Sequence, residues 1–374
     1  MKIYISLFLK NNLVSNKMIN ANPKISVCIP TFNRNELLKC TIDSVLKQNF
    51  KEFEILICVD GCTDGTIDTL KRYTDKRIKV IINKKNRGYI ESMRRLVNES
   101  NTEWIQFLSD DDLMHKEYLS NCWKVIQKKP DIGFVVTANN FIDANGKYLH
   151  KVTRKRIHKE DYFRNMRDVI VFEKTDMLGN FTMMSIPMRG GKYAVVLPTA
   201  FPNHIFNKRL YKKIGGSDPE LFYGHDSLVV SSICCLAPCA YIDKPLIDYR
   251  IHPNISNKMN ATVEGVKQYL LFIDKLVIFC RKNKIEIPYL KGLLLRAFEK
   301  DFFSIKGRLL RIASKTPNFN AKNKNITDNL TLVFKTIPQA RYSVKNNFII
   351  LLAYLLPSNL IHKIGMFYFK HLRR

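Results

Sequence analysis

Between residues 25 and 113 the chain alternates continuous apolar runs with amphipathic segments, and this alternation limits the possible folds more than any other feature. The runs ISVCI, FEILICVD, IKVIIN and EWIQFLS resemble strands buried on both faces of a sheet. The segments between them carry apolar residues at helical spacing, such as Leu38, Ile42 and Val45. The pattern predicts an α/β fold with a mostly parallel, Rossmann-like sheet flanked by helices.

Polar residues follow the predicted strands where each one ends. The first strand is predicted to end at Pro30, because proline has no N–H to donate to a sheet, and Thr31 follows it. Asp60 ends the second strand, and Asp110, Asp111 and Asp112 follow the fourth. Since ligands of parallel α/β sheets bind at the carboxyl ends of strands, these segments predict one crevice.

The formal net charge of +28 attracts anions such as acidic lipid headgroups, nucleic acid or phosphorylated substrates. The nine cysteines include no C-x-x-C pair, so neither a zinc site nor a disulfide framework is indicated, and a reducing cytosol is expected. No apolar stretch reaches the roughly 20 residues of a membrane-spanning helix. The first ten residues lack a following cleavage site, so no secretory signal is expected.

Three consecutive aspartates repel one another unless a cation lies among them. Carboxylate oxygens suit hard divalent ions such as Mg²⁺ or Mn²⁺, which also bridge to substrate phosphates. The alternative is a solvated acidic turn that caps the next helix. The residues alone leave both interpretations open.

Four further residues have two interpretations each. Asp60 is either a ligand of a nucleobase or ribose, or a turn former before Gly61. Asp226 is either a general base or a helix N-cap. Arg250 suits a diphosphate and His252 a metal or phosphate, although both also fit an ordinary surface loop.

Taken in order, the strings SVCIPTFNR, ILICVDGCTDGT, NRG, WIQFLSDDDL, IGGSDPELFYGHD and YRIHPNIS resemble the family-2 glycosyltransferases. The resemblance covers about residues 25–256 and is strongest over 25–113. It implies a GT-A fold and inverting transfer of a sugar from a nucleotide diphosphate donor, most simply a UDP-sugar.

The resemblance also implies a role for each matching residue. It makes Asp226 the catalytic base. The donor-binding residues implied by the resemblance are Pro30, Thr31, Asn33, Arg34, Asp60, Arg87, Asp110 and Arg250. The metal ligands implied for Mn²⁺ or Mg²⁺ are Asp111, Asp112 and His252, and the two ways of aligning the acidic motif leave open which aspartate is the main ligand.

Two positions depart from the family pattern. Ser109 stands where the family often has aspartate, and Met93 and Arg94 stand where it often has Arg-Asn. The second departure predicts a partly different donor pocket. The first keeps a catalytically inactive adaptor as an alternative function.

The chain is predicted to comprise an N-terminal extension (1–23), a GT-A catalytic domain (24–260) and a basic helical C-terminal region (261–374). From residue 321 onward nine Lys or Arg accompany one acid, Asp328. The amphipathic segment NLIHKIGMFYFKHL either lies in an anionic membrane surface or packs on the catalytic domain. The first option predicts a cytoplasmic protein peripheral to the inner face of the cell membrane.

The resemblance points to a polyprenyl-diphosphate-linked glycan acceptor in bacterial surface polysaccharide synthesis, either O-antigen (lipopolysaccharide) or capsule. A nucleic-acid-binding protein is the competing explanation of the charge. It would need aromatic-basic recognition motifs or a zinc module, and the sequence has neither, so no nucleic-acid partner is expected. A nucleotidyltransferase would need a glycine-rich loop where PTFNR stands.

Overall fold

The protein is described from a computed structural model, which covers residues 22–150, 169–172, 201–222, 224–251 and 263–285. His252, most of the N-terminal extension and the basic tail from residue 286 lie outside the described residues. The predictions made for them therefore stay predictions.

The first part of the chain alternates strands and helices as the sequence predicts. Its strands are β1 (Ile25–Thr31), β2 (Phe53–Asp60), β3 (Ile78–Asn83) and β4 (Trp104–Phe107). Its helices are α1 (Asn35–Leu46), α2 (Thr66–Leu70) and α3 (Tyr89–Glu99). Every residue of β1 and β2 is buried, as expected for strands covered on both faces.

The remaining described elements are shorter or more irregular. The strands are β5 (Leu113–Met114), β6 (Phe134–Ile142), β7 (Tyr148–His150), β8 (Val169–Phe172), β9 (His204–Asn207) and β10 (Cys239–Arg250). The helices are α4 (Tyr118–Lys128), α5 (Lys208–Lys213), α6 (His225–Cys234) and α7 (Val263–Lys282). A 3₁₀ turn at Phe201–Asn203 leads into β9.

The ten strands in the described part of the chain form one sheet, in the order β3-β2-β1-β4-β9-β6-β10-β5, with β7 beside β6 and β8 beside β10. Pairing is parallel among β1 to β4 and between β6 and β10. The short strands β5, β7, β8 and β9 pair antiparallel. The prediction of a mostly parallel sheet flanked by helices is confirmed, with antiparallel strands added in its second half.

The end of β1 differs from its prediction, because the strand continues through Pro30 to Thr31. Pro30 lies opposite Cys58 of β2, whereas the pairing of β1 with β4 ends at Cys28. The carbonyl of Cys28 accepts from Leu108 on the β4 side. Hydrogen-bonding groups of parallel strands alternate sides, so position 30 also faces that side. Because β4 does not pair with β1 at this position, the sheet needs no N–H donor from residue 30, and a proline there does not weaken the sheet.

The chain divides into two compact units. The first contains residues 1–177, 197–220 and 229–252, and the second contains 178–196, 221–228 and 253–374. Within the second unit, α7 buries Phe272, Ile273, Leu276 and Cys280, which share one helical face. None of the helices in the described part of the chain is long and apolar enough to cross a membrane.

Candidate active site

The acidic triplet forms a buried turn between β4 and β5, at the carboxyl end of the parallel strands. Asp110 and Asp111 are each 7% exposed, and Asp112 is fully buried. The structure therefore rules out the alternative of a solvated acidic turn. Buried carboxylates need compensation by hydrogen bonds or positive charge, and two arginines provide it.

The first compensating residue is Arg34, which follows β1 and immediately precedes α1. Its Nη1 donates to Oδ1 of Asp110 at 3.3 Å and also to Oδ2 of Asp111. Burial of the guanidinium opposes its charge, but the two carboxylates outweigh this effect and raise the pKa of Arg34. The end of β1 and the acidic turn are thus joined by an ion pair.

The second compensating residue is Arg250, the last residue of β10, which is 6% exposed. Its backbone N–H donates to Oδ1 of Asp112 at 2.8 Å, and its Nε donates to the carbonyl of Asp111 at 2.7 Å. Its Nη1 donates to the carbonyls of Asp143 and Ala144 at 3.1 and 2.9 Å. These contacts hold the acidic turn in place, which makes Arg250 a positioning residue whatever its role toward a diphosphate.

Burial changes the pKa values of Asp110 and Asp112. It raises the pKa of Asp110 to about 6, with Arg34 opposing the rise and Asp111 adding to it. Burial, followed by the charge of Asp111, raises the pKa of Asp112 well above its usual range. A positive charge close to the turn therefore stabilises the ionised form of these carboxylates.

The residues of this turn have the chemistry of a site for a hard divalent cation. The donors are carboxylate oxygens, and no hydrogen bond of ordinary geometry among the described residues reaches the buried Oδ2 of Asp112. Arg34 shows that a positive charge is accepted there. In the described ranges no three His, Cys, Asp or Glu side chains converge as a ready metal site. The oxygen ligands of the acidic turn have the chemistry that a divalent ion prefers, and in this structure Arg34 occupies those of Asp110 and Asp111.

The loops after β1 and β2 are fastened to each other beside the acidic turn. Asn33 has a φ of 52°, and its Oδ1 accepts the N–H of Thr63 at 2.8 Å. The carboxylate of Asp64 accepts the N–H of Asn35 at 2.9 Å. Between these contacts Phe32 is 44% exposed.

Asp60, at the end of β2, is buried and fully hydrogen-bonded. Its Oδ1 accepts from Nδ2 of Asn83 at 2.7 Å and from the N–H of Arg87 at 2.9 Å, and its Oδ2 accepts from the N–H of Gly88 at 2.9 Å. The carboxylate thus holds the turn that presents Arg87. Its contact with a nucleobase stays a prediction. Asn83 was missed, although it is also a polar residue at a strand end.

Gly61 is required by a close approach between the loops after β2 and β3. A Cβ at this position would lie 2.5 Å from the backbone nitrogen of Asn86 and 2.7 Å from the carbonyl carbon of Lys85. Its φ of 74° is also one that side chains disfavour. The loop carrying Lys84, Lys85 and Arg87 is therefore packed tightly onto the end of β2.

His115 and Asp248 join β5 to β10 directly after the acidic turn. Nε2 of His115 lies 2.8 Å from Oδ1 of Asp248, which also accepts from Nδ2 of Asn140 at 2.8 Å. Tyr148 donates its hydroxyl to Oδ2 of Asp248 at 3.0 Å. The bond to Asp248, opposed by burial, raises the pKa of His115.

A histidine with a raised folded-state pKa stabilises the protein fully below its unfolded pKa of about 6.5, and this contribution is lost as pH rises through the folded value. We therefore expect His115→Gln to lower the free energy of unfolding by about 0.5–1 kcal/mol at pH 6 and by less at pH 9.5. Urea denaturation at both pH values measures the difference. Asp75→Asn, which breaks the Asp75–Arg77 pair, is the control, because this ion pair contains no histidine. An equal cost of His115→Gln at both pH values would contradict the prediction.

Asp226 lies in the second unit, in the first turn of α6. Because this helix begins at His225, Asp226 is inside it, and the interpretation of Asp226 as the helix N-cap is wrong. Gly224 precedes the helix with a φ of 87°, and the carbonyl of Gly224 accepts the N–H of Leu228 at 3.0 Å. The Asp226 carboxylate accepts the N–H of Ser227 at 2.7 Å and is partly exposed. Burial, against the effect of Asp226, lowers the pKa of His225.

The structure brings several predicted residues together within the first unit: Arg34, Asp110, Asp111, Asp112 and Arg250 by direct contact, and Asn33, Asp60 and Arg87 in the loops beside them. The carbonyl of Thr31, at the end of β1, accepts a hydrogen bond from Sγ of Cys62 at 3.5 Å. His252 lies outside the described residues, and Asp226 belongs to the other unit.

The fold and this site define an α/β protein with buried charged residues at the carboxyl ends of parallel strands. Residues 26–186, less than half of the chain, match the family model described as glycosyl transferase family 2.

The chain is 25% identical over 350 residues to a GalNAc(5)-diNAcBac-PP-undecaprenol beta-1,3-glucosyltransferase of Campylobacter jejuni, covering 92% of this chain and 97% of the relative. It is 24% identical over 264 residues to the glycosyltransferase GlyA of Streptococcus pneumoniae, covering 67% of this chain but only 34% of that longer protein. A crystal structure of S. aureus TarS 1–349 with UDP aligns over 85% of this chain and 92% of TarS, at 18% identity and a TM-score of 0.47.

Proposed function

We propose that this protein is an inverting, metal-dependent glycosyltransferase that moves a sugar from a nucleoside diphosphate donor, most simply UDP, to a hydroxyl of a lipid-linked glycan. The observation that carries the proposal is the buried acidic turn at the ends of β1 and β4, compensated by Arg34 and Arg250. A site of buried carboxylates balanced by movable positive charge suits a cation and the phosphates of a donor.

The chain's own residues supply most of the chemistry. Asn33 and Asp60 hold the loops that line the nucleoside side of the crevice, and Arg250 holds Asp111 and Asp112 in register. Asp111 and Asp112 would hold the Mn²⁺ or Mg²⁺ ion, with His252 as a further ligand. When bound, such an ion is a Lewis acid that offsets negative charge on a diphosphate.

Asp226 accepts the proton of the acceptor hydroxyl while the hydroxyl oxygen attacks the anomeric carbon. The bond from that carbon to the diphosphate breaks as the new one forms, so one displacement inverts the centre.

The acceptor is inferred from the Campylobacter relative, whose name specifies a substrate linked through diphosphate to undecaprenol and whose alignment spans nearly all of both chains. A lipid-linked acceptor places the protein at the cytoplasmic face of the cell membrane, in bacterial surface glycan synthesis. The net charge of +28 favours binding to that anionic surface.

A thermal-shift screen of UDP-, GDP- and dTDP-sugars with Mn²⁺ tests the proposal. We expect a UDP-sugar to raise the unfolding temperature by several degrees, because a ligand at about 100 times its Kd adds about 2.7 kcal/mol of stability. EDTA should reduce this shift and abolish sugar transfer. If no nucleotide sugar raised the unfolding temperature, the proposed donor class would be wrong. If EDTA left the transfer rate unchanged, the proposed metal dependence would be wrong.

A further inference from the structure

The guanidinium of Arg34 lies where a cation of the acidic turn would be expected. Its Nη1 binds both Asp110 and Asp111, whose side chains are each 10% exposed. The fully buried Oδ2 of Asp112, in the same turn, has no hydrogen bond of ordinary geometry among the described residues. The turn thus combines a fully buried carboxylate with two carboxylates bound by one arginine side chain.

Arg34 is able to leave because it is less enclosed than its partners. Its side chain is 35% exposed, and it stands at the junction of β1 and α1. Arg250, in contrast, is 6% exposed and is bound through four backbone or side-chain contacts. A positive charge at the turn is therefore supplied by one fixed arginine and one exchangeable arginine.

A divalent ion and the guanidinium cannot share the oxygens of Asp111, because two cations a few ångströms apart repel each other. The ion has twice the charge and prefers carboxylate oxygens at short distance, so it displaces the arginine. The freed guanidinium stays at the strand-end crevice, where its paired N–H groups suit a phosphate.

We propose that Arg34 is an exchangeable internal cation, which neutralises Asp110 and Asp111 in the metal-free protein and transfers to the donor phosphates when a divalent ion binds. This inference deepens the proposed function and rests on its metal-dependent donor site. It makes Arg34 a residue that links metal binding to donor binding, since a shared partner couples the two equilibria.

The first test measures Mn²⁺ binding by the electron paramagnetic resonance signal of free Mn²⁺, without any nucleotide. Full-length Arg34→Gln should bind Mn²⁺ at least about 5-fold more tightly than the wild type, because the competing cation is gone. Arg77→Gln, which breaks a surface Arg–Asp pair elsewhere, should leave the affinity unchanged. Asp111→Asn should lose the binding, which locates the ion. An affinity of Arg34→Gln equal to or weaker than that of the wild type, or no Mn²⁺ binding by either protein, would overturn the proposal.

The second test measures UDP affinity at saturating Mn²⁺ by calorimetry. Here Arg34→Gln should bind UDP roughly 5-fold more weakly, the opposite direction to its effect on Mn²⁺. An unchanged UDP affinity would overturn the exchange. Arg34→Lys keeps one charge and should give intermediate values in both tests, which provides a readout if the glutamine variant does not fold. Loss of UDP binding by the wild type would instead refute the proposed donor site itself.

Discussion

Replacing Asp226 with asparagine should lower the sugar-transfer rate by about 10²- to 10⁴-fold, the usual contribution of a general base. The asparagine side chain keeps the size of the aspartate and its Oδ1, which accepts the N–H of Ser227, so α6 should still begin at His225. What is lost is the ability to take a proton from the acceptor hydroxyl. Steady-state transfer assays and donor binding by calorimetry measure the two properties separately.

The matched control for this prediction is Asp131→Asn, at an exposed aspartate in the turn before β6. This control should retain the wild-type transfer rate and donor affinity. Near-normal turnover by Asp226→Asn would refute its role as base. Equal losses of donor affinity and turnover would assign Asp226 to donor binding instead.

Replacing Arg250 with methionine should lower the free energy of unfolding by about 1–3 kcal/mol, the usual cost of leaving buried hydrogen-bonding groups without a partner. The change leaves the carbonyls of Asp111, Asp143 and Ala144 without their donor. The backbone N–H at position 250, which binds Asp112, stays in this variant, so the change tests the side-chain contacts alone. The sugar-transfer rate should fall as well, because the acidic turn is no longer held in place by the Arg250 side chain.

Urea denaturation of Arg250→Met and Arg77→Met separates a buried from a surface arginine. Arg77 pairs with Asp75 at 2.7 Å but at the surface, so its loss should cost about 1 kcal/mol or less. Similar costs for the two variants would show that the contacts of Arg250 contribute little. A stable but inactive Arg250→Met would instead favour a direct contact of Arg250 with the donor diphosphate.

The sequence predicted the parts of this site that depend on long apolar strands. β1, β2 and β4 are buried runs, and the polar residues that end them lie at one edge of the sheet, as the strand order requires. β9 was not predicted, since four residues between a turn and a helix carry no clear periodicity. Its place between β4 and β6 is set by tertiary pairing.

The contacts within the site were less predictable than its location. The pair of Arg34 with Asp110 joins residues 76 positions apart, and no local pattern relates them. The acceptors of Arg250 are mostly backbone carbonyls, which every residue has and which leave no trace in a sequence. Arg250 was therefore assigned to a diphosphate from its residue type, whereas the structure adds its role in holding the acidic turn.

The close approach between Gly61 and the loop after β3 separates a position that protein engineering must keep from positions that it can vary. Position 61 tolerates no side chain without displacing the backbone at Lys85 and Asn86. A library that varies this position would therefore consist mainly of proteins in which the two loops are displaced. The side chains of Lys84, Lys85 and Arg87 are exposed on a loop whose backbone Gly61 and Asp60 already fix. Directed evolution toward another nucleotide sugar can therefore randomise these three positions freely while the scaffold beneath them stays constant.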